Sequence, residues 1–253
     1  MSPSDRQTQL DIEHSPEAVK ARLAKAKHQS YLGDFVLGAI DGCVTTFAVV
    51  SGAVGANLPN GVAVILGFAN LAADGFSMAA SNHQRAKSDN EWMDKARRSE
   101  ELHIDTIPEG EREEVRQIFA AKGFSGTQLE QAVQVITRDR RRWVDTMVTD
   151  ELGLRLAYPN PLRAALVTFA GFGGAGLVPL LPFFLPAALV SERVFLISIA
   201  ATALTFVAIG TLKGQVLNRS KPRSAFETLA VGSIAAALAY AVGVGLKELV
   251  HGV

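Results

Sequence analysis

The stretch NLAADGFSMAAS, residues 70–81, carries one charged side chain, Asp74, inside a long apolar segment. No residue from Gly42 to Ala73 is charged, and the next charge after Asp74 is Arg85. Positions four apart lie on one face of an α-helix, so this spacing predicts a stripe of potential metal ligands. The stripe consists of Asn70, Asp74, Met78 and Asn82.

Four charge-free stretches predict the membrane spans. They are residues 42–73, 164–191, 194–212 and 228–246. A bilayer-spanning helix needs roughly 20 largely apolar residues, and the first stretch, with its uncharged approach from Phe35, is long enough for two. The sequence NLPNG (57–61) predicts a tight turn between those two spans. We therefore predict an all-α polytopic membrane protein with five transmembrane helices.

The distribution of Lys and Arg predicts the orientation of the chain. Five lie in residues 1–34, fourteen in 85–163 and four in 213–223, which together make 23 of the 25. With five spans, these three regions share one side of the membrane, and the positive-inside rule predicts a cytoplasmic N-terminus. The formal net charge of zero gives no basic field for nucleic acid. The single Cys43 excludes an intrachain disulfide.

The polar N-terminus predicts no cleavable secretory signal, so the first span is expected to anchor the chain.

The region between spans two and three, residues 87–155, holds 27 of the 50 Asp, Glu, Lys and Arg residues. We predict four segments. They are a cytoplasmic N-terminal segment with an amphipathic helix (1–32), spans one and two (33–86), a cytoplasmic helical insert (87–155) and spans three to five (156–253).

The insert is predicted to contain three helices, over residues 87–104, 109–122 and about 125–152. The second span has no break before Lys87, so it is expected to continue into the first insert helix. Gly123 and Gly153 predict the ends of the other two. Thr127 and Glu130 have the spacing of a capping box, which predicts the start of the third.

Potential metal ligands recur at helical spacing within the insert. The pairs are Glu100 with His103, Glu111 with Glu114, and Met147 with Glu151, and Asp150 adjoins the last pair. Each pair presents two ligands on one helix face, and facing pairs of this kind build the carboxylate-rich sites of di-iron bundles. The alternative is a solvated charged face, which EGEREEVR (109–116) alone would favour. The sequence leaves both interpretations open.

Asp41 is the second carboxylate predicted to lie within the membrane. It is flanked by Gly38 and Gly42, a spacing that permits close helix contact, so Asp41 is expected to face the bundle interior. Ionisable residues in a membrane usually mark ion or proton pathways. The alternative is a residue that reaches the interface, as Asp34 is expected to do, and we assign Asp34 no role.

Met78 permits two interpretations. A methionine on an apolar helix is normally core filler. A thioether one turn from a carboxylate would instead suit a transition metal better than Mg²⁺ or Ca²⁺, which prefer oxygen ligands.

Three motifs resemble the vacuolar iron transporter family, and the resemblance covers about residues 30–250. The motifs are DGCVTTFAVVSGAVGA (41–56), NLAADGFSMAASNHQRAKSDNEW (70–92) and WVDTMVTDELGL (143–154). The resemblance implies a five-helix membrane domain that forms a homodimer, with a cytoplasmic metal-binding helical domain between helices two and three. It implies transport-path roles for Asp41 and Met78. It implies that the cytoplasmic metal ligands are Glu100, Glu111, Glu114, Met147 and Glu151.

The sequence departs from this family at two positions. Plant-like members carry Glu where this chain has Asn70, and here a carboxylate follows one turn later, at Asp74. A cytoplasmic Glu of the family is His103 here, and Mn²⁺ favours a nitrogen ligand less than Fe²⁺ or Zn²⁺ does.

We therefore expect a proton-coupled exporter of Fe²⁺ from the cytosol, with Mn²⁺ and Zn²⁺ as further candidate substrates. The expected partners are divalent metal ions, protons, the lipid bilayer and a second copy of the chain, without nucleic acid, permanent cofactor or enzymatic activity. A bacterial inner membrane is favoured over a vacuolar one. One alternative is a membrane-anchored ferroxidase, but the chain has only one of the paired Glu-x-x-His motifs that a di-iron site needs. Another is a metal sensor without transport, which only flux measurements would separate.

Overall fold

The computed structural model describes residues 3–25, 31–156, 158–184 and 191–251. Within these ranges the chain is helical and contains no strand, which confirms the predicted all-α class. The helices are α1 (Pro3–Glu13), α2 (Pro16–Lys25), α3 (Leu32–Gly55), α4 (Asn60–Thr106), α5 (Pro108–Ala121), α6 (Gly126–Thr137), α7 (Arg140–Thr146), α8 (Pro161–Gly176), α9 (Ser191–Val216) and α10 (Lys221–His251). A π-helical turn (Met147–Glu151) follows α7, and a 3₁₀ helix (Val178–Phe184) follows α8.

The chain divides into two compact units. The insert unit comprises Met1–Ser30 and Ala86–Pro159, and the membrane unit comprises Tyr31–Arg85 and Asn160–Val253. Helix α4 belongs to both, because it runs without a break from Asn60 to Thr106. This continuity confirms that the second span extends into the first insert helix.

Four helical segments are long and apolar enough to cross a membrane. They are Leu32–Gly55, part of Asn60–Thr106, Arg193–Val216 and Lys221–Lys247. A fifth candidate is the pair Pro161–Gly176 and Val178–Phe184, which is bent by 42°. The protein is therefore a polytopic membrane protein with four to five candidate spans in the described ranges. The predicted third span (164–191) includes residues 185–190, which lie outside those ranges.

The turn predicted between the first two spans is present. Helix α3 ends at Gly55 and α4 begins at Asn60. Asn57 adopts a φ of 60°, which asparagine tolerates better than most residues. The amide of Leu58 closes the turn by donating to the carbonyl of Ala53 at 2.9 Å.

Helices α3 and α8 pack with their backbones in direct contact. A Cβ atom on Gly38 would lie 2.2 Å from the carbonyl oxygen of Thr168, and one on Gly42 would lie 2.2 Å from that of Phe172. A Cβ on Gly171 would likewise lie 2.4 Å from a carbonyl oxygen of α3. This confirms the close contact predicted from the small residues around Asp41.

Helix α10 approaches α3 in the same way. A Cβ on Gly243 would lie 2.2 Å from the carbonyl oxygen of Gly52. Helix α9 instead meets α3 through side chains, since Phe47 and Phe195 stack with their ring centroids 6.3 Å apart. The rings of Phe195 and Tyr240 continue the stack at 6.4 Å.

The bend after α8 leaves a backbone carbonyl that a neighbouring helix satisfies. The 3₁₀ helix contains Pro182, which has no amide hydrogen to donate. The buried hydroxyl of Ser198, on α9, donates to the carbonyl of Pro179 at 2.7 Å. An irregular segment is tolerated at membrane depth when its polar groups find partners of this kind.

The N-terminal segment contains two short helices, where one amphipathic helix was predicted. Pro16 is the first residue of α2, a position where its missing amide hydrogen does no harm. The hydroxyl of Ser15 accepts a hydrogen bond from the amide of Ala18 at 3.3 Å, which starts a new helix at this point.

The third insert helix differs from the prediction because it is broken in two. Asp139 has extended backbone angles, and its side chain accepts a hydrogen bond from the amide of Arg142 at 2.9 Å. It therefore caps a new helix, α7, and this separates α7 from α6. The end of the third helix at Gly153, with a φ of 65°, is as predicted.

The predicted capping box is wrong. Ser125 is the residue before α6, and Gly126 is its first residue, so Thr127 already lies inside the helix. The carboxylate of Glu130 accepts a hydrogen bond from Arg116 of α5 at 2.9 Å instead of turning back to the helix start. A pair between helices has thus replaced the local cap.

The insert unit has its own hydrophobic core. Its buried residues are Ile104, Val115, Val133, Trp143, Val144, Met147 and Val148. They come from α4, α5, α6, α7 and the π-helical turn, so each helix of the insert contributes to one cluster. This core fixes the end of α4 against the start of α5, where the predicted metal ligands lie.

Candidate metal site and membrane carboxylates

Three of the predicted ligands converge in the insert unit. Glu100 and His103 lie in the last two turns of α4, and Glu111 lies in the first turn of α5. One ligand atom from each residue lies within 4.8 Å of the other two. The Nδ1 atom of His103 is 3.4 Å from Oε1 of Glu111. We call these three residues the Glu–His–Glu cluster.

The two glutamates of the cluster are buried with unsatisfied oxygens. Glu100 is 4% exposed and Glu111 is 1% exposed, and Oε2 of each has no hydrogen-bond partner among the residues that the structure describes. A buried, unpaired carboxylate is costly, so such groups normally bind a cation or become neutral. A set of carboxylate oxygens and one imidazole nitrogen suits a divalent transition metal.

The acids of the insert repel one another in the absence of a cation. Burial, which is the largest cause, and the charges of Glu114 and Glu100 together raise the pKa of Glu111 to about 7, against the opposing effect of His103. Burial is also the main reason why the pKa of Glu100 lies above its ordinary range. The pKa of Glu151 is raised as well, by partial loss of water around its exposed side chain and by the charges of Glu100 and Glu114. A divalent cation among these groups would relieve both the burial cost and the repulsion.

Glu114 and Glu151 lie at the exposed edge of this charge cluster. Both are exposed to solvent, and both raise the pKa of Glu111 through their charge. Glu151 is the last residue of the π-helical turn, which begins at Met147. Turns of this kind are rare and are often found at functional sites.

The other two predicted insert ligands lie in different surroundings. Met147 is fully buried in the hydrophobic core of the insert unit. Asp150 forms an ion pair with Lys122, with Oδ1 and Nζ 2.7 Å apart. The structure thus pairs Asp150 with a lysine, which already neutralises its charge.

The membrane unit places the two predicted intramembrane acids near each other. Asp41 on α3 and Asp74 on α4 are both half-buried, and their carboxylates are close enough to repel each other. Asn70, one turn before Asp74, donates to Oγ1 of Thr45 at 3.2 Å. The predicted path residues on α4 therefore face α3.

Met78 packs against an apolar cluster of the membrane unit. The buried members of this cluster are Val50, Leu71, Phe172 and Leu180. Half-buried Met78 is thus in contact with core residues and lies one turn from Asp74. A ligand role for its thioether stays a prediction.

Asp34, to which the sequence analysis assigned no functional role, takes part in a polar network. Its Oδ1 accepts a hydrogen bond of 3.0 Å from Asn82, which also donates to Oγ1 of Thr168 at 2.7 Å. Arg85 donates to Oδ1 of Asn82 at 3.1 Å and lies 3.6 Å from Asp34. This polar network joins α3, α4 and α8, and it was missed because its members are 48 and 86 positions apart in sequence.

Comparison with known sequences gives the family. The family model described as the VIT family matches residues 32–244, which is most of the chain. The chain belongs to the VIT family. The matched range includes the membrane carboxylates, the Glu–His–Glu cluster and the candidate spans up to residue 244, within the last span, Lys221–Lys247. It confirms the resemblance found in the sequence.

Several relatives are similar over most of their length. A vacuolar iron transporter of Toxoplasma gondii is 31% identical over 230 residues, covering 88% of this chain and 76% of that protein. One from Centaurea cyanus is 32% identical over 221 residues, covering 86% and 88%. Vacuolar iron transporter 1 of Arabidopsis thaliana is 30% identical over 246 residues, covering 94% and 96%. The apolar helices and the family together make this chain an integral, multi-pass membrane protein.

Proposed function

We propose that this VIT-family protein moves Fe²⁺ out of the cytosol across the membrane in exchange for protons, with Mn²⁺ and Zn²⁺ as further candidate substrates. The relatives named vacuolar iron transporters support iron as the cargo. The observation that carries the proposal is the Glu–His–Glu cluster, because Oε2 of each buried glutamate has no hydrogen-bond partner in the described chain. A transporter needs such a site to take up a cation that water binds strongly.

In this proposal the insert collects metal on the cytosolic side. The insert is assigned to the cytosolic side because 23 of the 25 Lys and Arg residues lie on one side of the predicted spans, and that side is expected to be the cytosol. Glu100, His103 and Glu111 form the centre of the site, and Glu114 and Glu151 add negative charge at its edge. We place Met147 as a further candidate ligand and Asp150 outside the site, because Lys122 occupies its carboxylate.

The membrane path runs through the carboxylates of spans one and two. Asp41 and Asp74 repel each other, so either a divalent cation or protons would relieve the pair. A carboxylate must be deprotonated to bind metal, so protons and metal compete for these groups. This competition provides a chemical basis for exchange. Asn70 and Met78, one turn to either side of Asp74, would supply an amide oxygen and a thioether.

The proposal includes a homodimer in a bacterial inner membrane, with the N-terminus and the insert in the cytoplasm. The homodimer rests on the sequence resemblance. Crosslinking of the protein in native membranes would test the dimer. Accessibility of a cysteine introduced at an exposed insert position would test the orientation.

Metal flux into proteoliposomes tests the function directly. Purified protein is reconstituted, and uptake of Fe²⁺, Mn²⁺ and Zn²⁺ is measured without oxygen, with and without an imposed pH gradient. We expect the pH gradient to drive Fe²⁺ flux, and we expect protons to move opposite to Fe²⁺, so that Fe²⁺ uptake makes the lumen more alkaline. Fe²⁺ flux that is independent of the pH gradient would reject proton exchange. Metal binding without any flux would favour a sensor, and formation of Fe³⁺ under oxygen would favour a ferroxidase.

A further inference from the structure

The Glu–His–Glu cluster combines two kinds of donor with very different exposure. Its two glutamates are almost completely buried, at 4% and 1% exposure. The side chain of His103 is 48% exposed, yet its Nδ1 atom points at Oε1 of Glu111 from 3.4 Å. His103 is therefore the solvent-facing member of the cluster and its only nitrogen donor among the described residues that converge there.

The fold positions His103 for this place in two ways. It lies three residues after Glu100, so the two side chains share one face of α4. It also lies in the last turn of α4, where unpaired carbonyl groups favour a nearby cation. Only Ile107 separates α4 from α5, which brings Glu111 back against this face.

We propose that His103 determines which metals the insert site selects, favouring Fe²⁺ and Zn²⁺ over Mn²⁺, Mg²⁺ and Ca²⁺. An imidazole nitrogen suits Fe²⁺ and Zn²⁺, whereas Mn²⁺, Mg²⁺ and Ca²⁺ are better suited by oxygen ligands. Glutamates alone would offer every divalent cation a set of hard oxygens. The inference rests on the proposed function for its biological meaning, but binding itself does not require transport.

A purely structural role for His103 makes a different prediction. In that case the imidazole would only hold the carboxylate of Glu111 in place, and its replacement would lower the affinity for all metals by the same factor. A ligand that selects among metals instead changes the ratio of affinities, because removal of the nitrogen lowers the affinity for Zn²⁺ and Fe²⁺ more than the affinity for Mn²⁺. The ratio, rather than any single affinity, separates the two roles.

The test uses the full-length protein in detergent and the substitution His103→Glu, which keeps a ligand but replaces nitrogen by oxygen. The relative affinities for Zn²⁺ and Mn²⁺ are measured by competition at equilibrium. The affinities for Fe²⁺, under anaerobic conditions, and for Mg²⁺ are measured in the same way for comparison. We expect the ratio of Zn²⁺ to Mn²⁺ affinity to fall by about tenfold, or about 1.4 kcal/mol. The matched control is His14→Glu, at the exposed residue that follows α1, which should leave the ratio unchanged.

A spectroscopic measurement identifies the nitrogen itself. The protein is loaded with Cu²⁺, and the coupling of the electron spin to ligand nitrogen is recorded. We expect this coupling to weaken in His103→Glu and to persist in His14→Glu. An unchanged affinity ratio, a parallel loss for all metals, or unchanged nitrogen coupling in His103→Glu would overturn the inference. Since these readouts need no flux, a protein that selects metals but does not transport them would reject only the proposed function.

Discussion

Glu111→Gln should stabilise the metal-free insert unit at high pH and weaken its response to metal. Burial is the main cause that raises the pKa of Glu111 from 4.5 to about 7. Below pH 4.5 the carboxyl is protonated in both the folded and the unfolded state, so its raised pKa costs no stability. The cost grows as the pH rises from 4.5 and is complete once the pH has passed about 7. At 1.36 kcal/mol for each pH unit, the charged Glu111 costs about 3 kcal/mol at pH 8 and under about 1 kcal/mol at pH 5.

Trp143 allows the measurement to be confined to the insert unit. It is 4% exposed in the core of that unit, whereas Trp92 is 58% exposed. Urea unfolding of the full-length protein in detergent with a chelator is followed by tryptophan fluorescence at pH 5 and pH 8. The free energy of unfolding of Glu111→Gln should exceed that of the wild type by about 3 kcal/mol at pH 8 and by far less at pH 5.

Addition of Fe²⁺ or Mn²⁺ at pH 8 should reverse this order, because glutamine offers no charged ligand to the ion. The control Glu113→Gln changes an exposed glutamate that pairs with Arg116 outside the cluster, and it should show neither effect. The reasoning is refuted if metal-free Glu111→Gln is no more stable than the wild type at pH 8. It is equally refuted if the difference is the same at both pH values.

Three further predictions concern the membrane unit. Asp41→Asn should abolish metal flux in proteoliposomes while the protein still inserts and purifies as the wild type does; undiminished flux would remove this carboxylate from the path. Met78→Leu nearly conserves volume, so stability should change by less than about 1.5 kcal/mol while transition-metal flux falls, and normal flux would mark Met78 as core filler. Gly42→Ala should destabilise the protein by about 1–3 kcal/mol, because its Cβ would lie 2.2 Å from the carbonyl oxygen of Phe172. In detergent thermal unfolding, the control Gly173→Ala should cost less, since no described atom outside its own helical turn lies within 4 Å of its Cβ. Equal losses would argue against the close contact.

The features that sequence predicted correctly depend on local composition. Runs without charge, the turn at residues 57–61 and the helix end at Gly153 each follow from a few adjacent residues. The pair Glu100 and His103 was also predictable, because three-residue spacing places both side chains on one helix face. Their proximity to Glu111 was not derivable from spacing, because it depends on the angle at which α5 returns after Ile107.

The features that sequence missed depend on contacts between distant segments. The hydrogen bond from Asn82 to Asp34 was not predictable, because the two residues are 48 positions apart. The ion pair of Asp150 with Lys122, the residue that follows α5, was not predictable from the position of Asp150 beside Glu151. Thr127 and Glu130 have the spacing of a local cap, but the carboxylate of Glu130 accepts a hydrogen bond from Arg116 of α5 instead. In each case the partner is a charged or amide group that tertiary folding brings from a distant segment.

The backbone contacts among α3, α8 and α10 also determine which parts of the membrane unit are able to move. Gly42 and Gly243 leave no layer of side chains between these helices, so rotation or sliding of one would drive its backbone into the next. The three helices therefore behave as one stiff frame that carries Asp41. Helix α4 meets α3 through side chains such as Asn70 and Thr45, which are able to change rotamer and exchange partners. In the proposed transport, the motion that opens Asp41 to one side of the membrane and then to the other is thus expected in α4, while the frame stays fixed.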